Sequence, residues 1–204
     1  MTTHALFPTL LYEADLSEFR GWPTLAPDLA DAVQMLAAED AAGRAWCKAN
    51  HYPGYTSYAS LTDLPARATA FAELKRMLDR QVQIFANELC FDLGGRRPKL
   101  DSLWVNVLAP KGAHSGHIHP HSAISGAVYL ETPKGSGALK LEDPRLPLMM
   151  AAPALRADTP EAQRRFVYLE PTPGRLYLWE SWLRHEVTPN GAKRPRVSIS
   201  FNYA

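Results

Sequence analysis

Apolar and polar residues alternate along this chain with two different periods, and the change falls near residue 99. Before it, Leu29, Val33 and Leu36 recur at helical spacing within 27–42, with Pro27 suited to a first turn. A longer stripe of Phe71, Leu74, Leu78, Val82, Phe85 and Leu89 predicts a helix from Pro65 to Phe91, ended by Gly94-Gly95. Ala5 to Tyr12 reads as a short strand interrupted by Pro8. The turn-rich segment with Tyr52, Tyr55 and Tyr58 reads as loop or edge strand.

After Lys99 the period shortens. Leu103–Leu108, Ser125–Glu131, Ala138–Leu141, Phe166–Leu169, Leu176–Trp179 and Val197–Phe201 are short runs rich in β formers. Turn signals such as Pro133-Lys134-Gly135 and Pro189-Asn190-Gly191 separate them. This spacing predicts an antiparallel sandwich or jelly-roll barrel with the earlier helices packed on one sheet. The fold class is therefore α+β: an all-β core with a helical N-terminal part. Residues 1–204 read as a single domain, with 1–98 a mainly helical support region and 99–204 the β-rich core.

Composition narrows the function classes. Lys+Arg number 22 and Asp+Glu 21, leaving a formal charge of +1. That balance gives no broad electrostatic reason for nucleic-acid or membrane binding. The two cysteines, Cys47 and Cys90, make neither a CxxC pair nor a disulfide framework. No run approaches the ~18 apolar residues of a membrane span, and the N-terminal residues lack a charged segment followed by a long apolar one. A cytoplasmic location is expected. The sequence leaves the oligomeric state open, a homodimer included.

Chemistry concentrates in Gly116-His117-Ile118-His119-Pro120-His121, with His114 just upstream. Histidines at i and i+2 on a strand share a face. A lone HxH is more often hydrogen-bonding polarity than ligation. His185, following the strand at Leu176–Trp179, offers a third corner, and three facial ligands with open positions suit non-haem iron. Imidazole also suits zinc, copper and nickel. His121 shares the parity but follows the bend at Pro120; His114 is the other reserve ligand. Arg196, Ser198 and Ser200 share one strand face, which could be the barrel interior. A buried arginine needs an anion, and its planar fork matches a carboxylate. Tyr129 could add a hydroxyl donor, against a plain core role. Asn106 and Trp104 lie on the strand leading to the cluster. Asn106 faces either a cofactor or a backbone group, and Trp104 fits a core position.

These residues fall into motifs: His117-Ile118-His119-Pro120, Ser125-Gly126-Ala127-Val128-Tyr129, Asp143-Pro144-Arg145, and Arg196-Val197-Ser198-Ile199-Ser200-Phe201-Asn202. In order and spacing they resemble the 2-oxoglutarate and Fe(II)-dependent oxygenases. The prolyl-hydroxylase-like branch is similar, and more closely a bacterial family with HxHP, SGxxY, DPR and RxSxSFN signatures. The resemblance covers about half the chain, roughly residues 100 to 204. It implies a double-stranded β-helix (jelly roll), Fe(II) held by His117, His119 and His185, and 2-oxoglutarate as co-substrate. Arg196 falls on the position that binds the far carboxylate of the keto acid, with Tyr129 and Ser198 assisting and Asn106 nearby. His119 departs from the superfamily's usual Asp or Glu.

The expected activity is a mononuclear non-haem Fe(II), 2-oxoglutarate-dependent dioxygenase that hydroxylates a small-molecule or peptide substrate with O2. Two rivals share the histidines: a cupin-like three-His dioxygenase that does not use 2-oxoglutarate, and a non-catalytic metal-binding barrel.

Overall fold

The computed structural model describes residues 1–204. In chain order the elements begin with strand β1 (Leu11–Asp15), helices α1 (Trp22–Glu39) and α2 (Ala41–Ala49), and strand β2 (Gly54–Thr56). A single-turn helix α3 (Leu64–Arg67) and the long helix α4 (Thr69–Glu88) follow. The remaining strands are β3 (Leu100–Leu108), β4 (His114–His117), β5 (Ile124–Glu131), β6 (Leu139–Glu142), β7 (Phe166–Leu169), β8 (Arg175–Glu180), β9 (His185–Val187) and β10 (Arg196–Tyr203).

Every named strand pair is antiparallel. One sheet runs β1-β8-β5-β10-β3-β2, and the other β4-β9-β6-β7. The eight strands from β3 onward thus divide four and four between facing sheets, which is the jelly roll the turn spacing predicts. The N-terminal half does more than supply helices. Its two strands pair with β8 and β3, covering the two edges that the larger sheet's core strands would otherwise expose.

The larger sheet is buried on both faces: β5 and β8 read as nearly continuous apolar runs, whereas β10 alternates polar and apolar residues. Toward the helices, Val197, Ile199, Phe201 and Tyr203 of β10 join Val105, Val128, Leu176 and Leu178 in one core cluster. The same cluster holds Leu25, Leu29 and Val33 of α1 and the Phe71-Leu74-Leu78-Val82-Phe85 stripe of α4. Toward the second sheet, Ala127, Tyr129, Tyr177 and Trp179 pack with Leu139, Leu141 and Leu169. Two polar anchors fix α4 to the sheet: Tyr12 donates to Gln81 at 2.7 Å, and Tyr203 donates to Asp79 at 2.7 Å.

Several boundaries move from those the periodicity suggests. The first helix starts at Trp22, so Pro23 occupies the first turn and Pro27 lies inside, where it lacks an N–H for the Pro23 carbonyl. Extended backbone at Ala68 divides the predicted 65–91 helix into α3 and α4. The first strand begins at Leu11, beyond Pro8, and α2 has no long apolar stripe to announce it. No helix is long and apolar enough to cross a membrane.

Phe85 is fully buried and packs on the Tyr12 ring, with centroids 5.7 Å apart. Phe85→Ala is expected to cost about 3–5 kcal/mol, read as a lower urea midpoint at unchanged slope.

Candidate metal centre and adjoining anion pocket

A cavity of about 740 Å³ opens between the two sheets, and strand pleating decides what lines it. On β10 the residues that alternate with the apolar core set, Arg196, Ser198, Ser200 and Asn202, all face the cavity. Ser102, Trp104 and Asn106 of β3 and Ala127 and Tyr129 of β5 do the same. One strand thus supplies core on one face and site on the other.

The three histidines of the sequence pattern meet at this cavity. The ligand atoms of His117, His119 and His185 all lie within 4.8 Å of one another. His117 and His185 are register partners on β4 and β9. His119 is not on that strand, since β4 ends at His117, so strand parity is not what brings the two HxH residues together. Instead the His119 N–H donates to the Ser181 carbonyl at 3.0 Å, holding the segment against the end of β8. A bulge between His114 and His117 lets both line the cavity although they are three apart. His114 stands outside the cluster, with Nε2 2.7 Å from the Tyr52 hydroxyl. His121 lines the cavity with positive φ but does not join the cluster.

Hydrogen bonds orient two of the rings. The Nδ1 of His185 lies 2.8 Å from the Leu183 carbonyl, and that of His117 lies 2.7 Å from the Ser115 carbonyl. A carbonyl only accepts, so both rings carry their proton on Nδ1 and leave Nε2 bare, as metal-ligating histidines do. His119 Nε2 lies 3.2 Å from His185 Nε2. Metal–imidazole bonds of about 2.1 Å place neighbouring ligand atoms about 3 Å apart, so this separation fits a shared ion. Burial lowers the His185 pKa to about 3 and that of His119 to about 4, so both rings are neutral at pH 7 and free to ligate.

Behind the histidines lies a cationic end. Arg196 is 2% exposed and makes no salt bridge, and its Nε has no hydrogen-bond partner. Its guanidinium carbon sits 4.8 Å from the centre of the Tyr129 ring. The Tyr129 hydroxyl is likewise buried and unpartnered, and Ser198 faces the same space. Burial also lowers the His114 pKa to about 4, with the Arg196 charge adding to the effect. Asn106 lines the cavity with its amide engaged. It accepts from Thr56 Oγ1 at 2.9 Å and donates to Ser200 Oγ at 3.1 Å, so its partners are side chains rather than backbone.

Other candidates sort themselves by position. Tyr52, Tyr58 and Trp104 line the cavity, whereas Tyr55 turns away and donates to Asp40 at 2.9 Å. Trp179 packs edge-on to His185, with centroids 4.8 Å apart. Arg145 is bound bidentately by Asp143 and does not reach the cavity, and Arg165 donates to loop carbonyls. Ser125 and Asn202 fall within the quoted motifs, but reading the sequence assigned neither them nor Ser181 a role beside His119, where the structure places them. All three are short polar residues in or beside buried strands, and that buried-polar placement was the available signal.

Residues 102–202 match the family model described as "Putative 2OG-Fe(II) oxygenase". No curated protein matches the sequence. Among solved structures, a Pseudomonas putida prolyl-4-hydroxylase is similar over 96% of this chain and 92% of its own, with 18% identity and a TM-score of 0.62. AviO1 from Streptomyces viridochromogenes Tue57 is similar over 97% of this chain and 90% of its own, with 13% identity and a TM-score of 0.63. The epimerase SnoN from nogalamycin biosynthesis, in complex with Fe3+ and alpha ketoglutarate, covers 96% of this chain and 79% of its own, with 16% identity and a TM-score of 0.59. At these identities the likeness to the solved structures is one of fold.

The depressed histidine pKa values predict acid sensitivity. Folded values of about 4 for His114 and His119 and about 3 for His185 lie below the usual 6.5. The unfolded chain therefore binds more protons below about pH 6.5, and stability present above that pH is lost as pH falls toward the folded values. The melting temperature of metal-free protein is expected to drop between pH 7 and pH 4, and to drop less in His114→Gln. An equal drop in the variant would contradict this origin.

Proposed function

Since the chain belongs to the 2OG-Fe(II) oxygenase family, we propose that His117, His119 and His185 hold its Fe(II), that Arg196 holds 2-oxoglutarate, and that the enzyme hydroxylates a small-molecule or peptide substrate. The observation that carries this reading is Arg196 itself, 2% exposed and without a protein anion. A guanidinium withdrawn from water is costly unless an anion joins it. The keto acid's far carboxylate is such an anion, and the fork geometry of arginine matches it. The unpartnered Tyr129 hydroxyl donates to the same carboxylate, and Ser198 lies beside it.

Iron, when bound, couples oxidation of 2-oxoglutarate by O2 to oxidation of a substrate C–H bond. The protein's part is placement and exclusion. Arg196 and Tyr129 fix one end of the keto acid so that its 2-oxo end reaches the histidines. Leu183 and Ser115 carbonyls hold two imidazoles with Nε2 toward the cavity. Trp179 backs His185 and keeps water from that side.

Charge also favours a dianionic co-substrate. Three neutral imidazoles bring no negative charge to a divalent ion, and Arg196 adds a further positive one. Asp101, near the start of β3, is the one carboxylate among the lining residues. Aromatic and apolar residues, Trp46, Tyr58, Trp104 and Ile118, also line the cavity and offer the substrate its binding walls. A cupin-like site that uses its histidines alone, or a purely structural metal barrel, leaves the buried arginine and the orphaned tyrosine hydroxyl without a purpose.

The direct test is formation of succinate from 2-oxoglutarate by wild-type protein with Fe(II) and O2. No keto-acid binding and no succinate across a broad substrate set would sink the proposal. Arg196→Ala is expected to weaken anaerobic 2-oxoglutarate binding by about 100-fold or more, on the order of what losing a partner of a buried charge pair costs. Its metal content should stay unchanged; unchanged keto-acid affinity would rule out this pocket. His119→Ala is expected to lower Fe(II) affinity and activity together, measured by metal titration and succinate release.

A further inference from the structure

The cavity carries opposite charges at its two ends, and an irregularity in β3 places one of them. Alternation along β3 turns Leu103 and Val105 to the helices and Ser102, Trp104 and Asn106 to the cavity. By parity Asp101 belongs with the helix-facing set, yet it lines the cavity beside Ser102. The strand pairing explains the difference. Tyr203 and Asn202 of β10 oppose Leu100 and Ser102, so Asp101 is the extra residue of a β-bulge, and bulges re-aim side chains. Asp101 is exposed and makes no ion pair with the protein.

Arg196 marks the other end. It pairs with Leu108, seven residues along β3 from Asp101. At the usual strand rise that is a separation of about 20 Å. Aromatic rings join the Asp101 end to the histidines. Trp104 lies 5.8 Å from His119 and 5.2 Å from Tyr58, centroid to centroid, and Tyr58 is 53% exposed. Arg196 is the only arginine among the lining residues, and no lysine lines the cavity. An anionic substrate therefore meets no fixed cation at the Asp101 end. A cationic substrate meets a free carboxylate and two aromatic rings. An exposed ion pair alone is weak, but rings beside it also discriminate a cation from a neutral group of the same shape.

We propose that the substrate carries a cationic nitrogen, an ammonium or guanidinium group, which Asp101 binds alongside Tyr58 and Trp104. The inference rests on the oxygenase reading above and names its substrate class. The two charged ends then sort the reactants. The dianionic keto acid is drawn to Arg196 and repelled by Asp101, and the cationic substrate is drawn and repelled in the opposite sense. The two reactants reach the histidines from opposite ends of the cavity and do not compete for one anchor.

The test uses full-length protein loaded with Zn(II) and 2-oxoglutarate, which holds the site without turnover. Hexylammonium, hexanol and hexanoate, similar in size and different in charge, are titrated in and their Kd values read by ligand-observed NMR. Hexylammonium should bind about 3–30-fold more tightly than hexanol, the combined reach of an exposed ion pair and a cation–π contact. A preference below about threefold, or no hexylammonium binding at millimolar concentration, overturns the proposal. The preference should shrink as salt is added, because exposed charges are screened; a preference indifferent to salt overturns it too. Asp101→Lys should abolish the preference, and hexylammonium still ahead of hexanol in that variant overturns the role of Asp101. The salt series uses wild-type protein and decides the question even where the variant folds poorly. Keto-acid binding, measured in the same samples, separates two failures. Bound 2-oxoglutarate without an ammonium preference removes this inference alone, whereas 2-oxoglutarate that does not bind removes the reading beneath it as well.

Discussion

A guanidinium taken out of water without an anion is a standing cost of several kcal/mol, and this chain places one at the heart of its barrel. Arg196 reaches its position because it opens β10, the central strand of the larger sheet, with β3 on one side and β5 on the other. The cation–π contact with Tyr129 offsets part of the cost but supplies no hydrogen-bond acceptor. The site is therefore built around a missing negative charge, and the fold stores stability that a carboxylate ligand recovers.

The same strand explains how a chain of 204 residues fits both a core and a chemical site around one sheet. Val197, Ile199, Phe201 and Tyr203 bind the helices, while Arg196, Ser198, Ser200 and Asn202 line the cavity. A register slip of one residue would exchange the two sets. The helices thus do more than cover apolar area. By holding the odd-numbered residues of β10, they fix the direction of every even-numbered one. This is why the N-terminal half bears on function although, apart from Trp46, Tyr52, Thr56, Tyr58 and Thr62, it contributes little to the cavity wall.

Much of this was legible in the sequence, because period-two patterning survives on β10 and turn signals separate the β-rich runs. The jelly roll follows from that pattern, and the meeting of His117, His119 and His185 was expected from the family resemblance, although strand parity does not bring it about. Three things were hidden. The bulge in β4 breaks strand parity, so His114 reaches the cavity at a spacing that an ideal strand forbids. The edge strands of the N-terminal half are short and owe their form to the strands they pair with. Asn202 ends the RxSxSFN motif and Ser125 opens SGxxY, but their contact with each other and with Ser181 arises only after folding, between residues distant in sequence.

The hidden part bears most directly on His119, where the superfamily resemblance leads one to expect a carboxylate. A carboxylate ligand has two equivalent oxygens and no tautomer to choose. An imidazole has a second nitrogen whose proton decides whether the first can bind, so replacing one by the other transfers a new task to the surrounding protein. Backbone carbonyls perform it for His117 and His185, and each permits only one tautomer. At His119 the group beside Nδ1 is the Asn202 amide. Three imidazole ligands contribute no charge to oppose a divalent ion, and Arg196 adds a buried cation to the same cavity. A dianionic co-substrate then answers both positive centres at once. The histidine at position 119 and the uncompensated arginine at position 196 are two halves of one electrostatic arrangement, each making the other's demand for negative charge stronger.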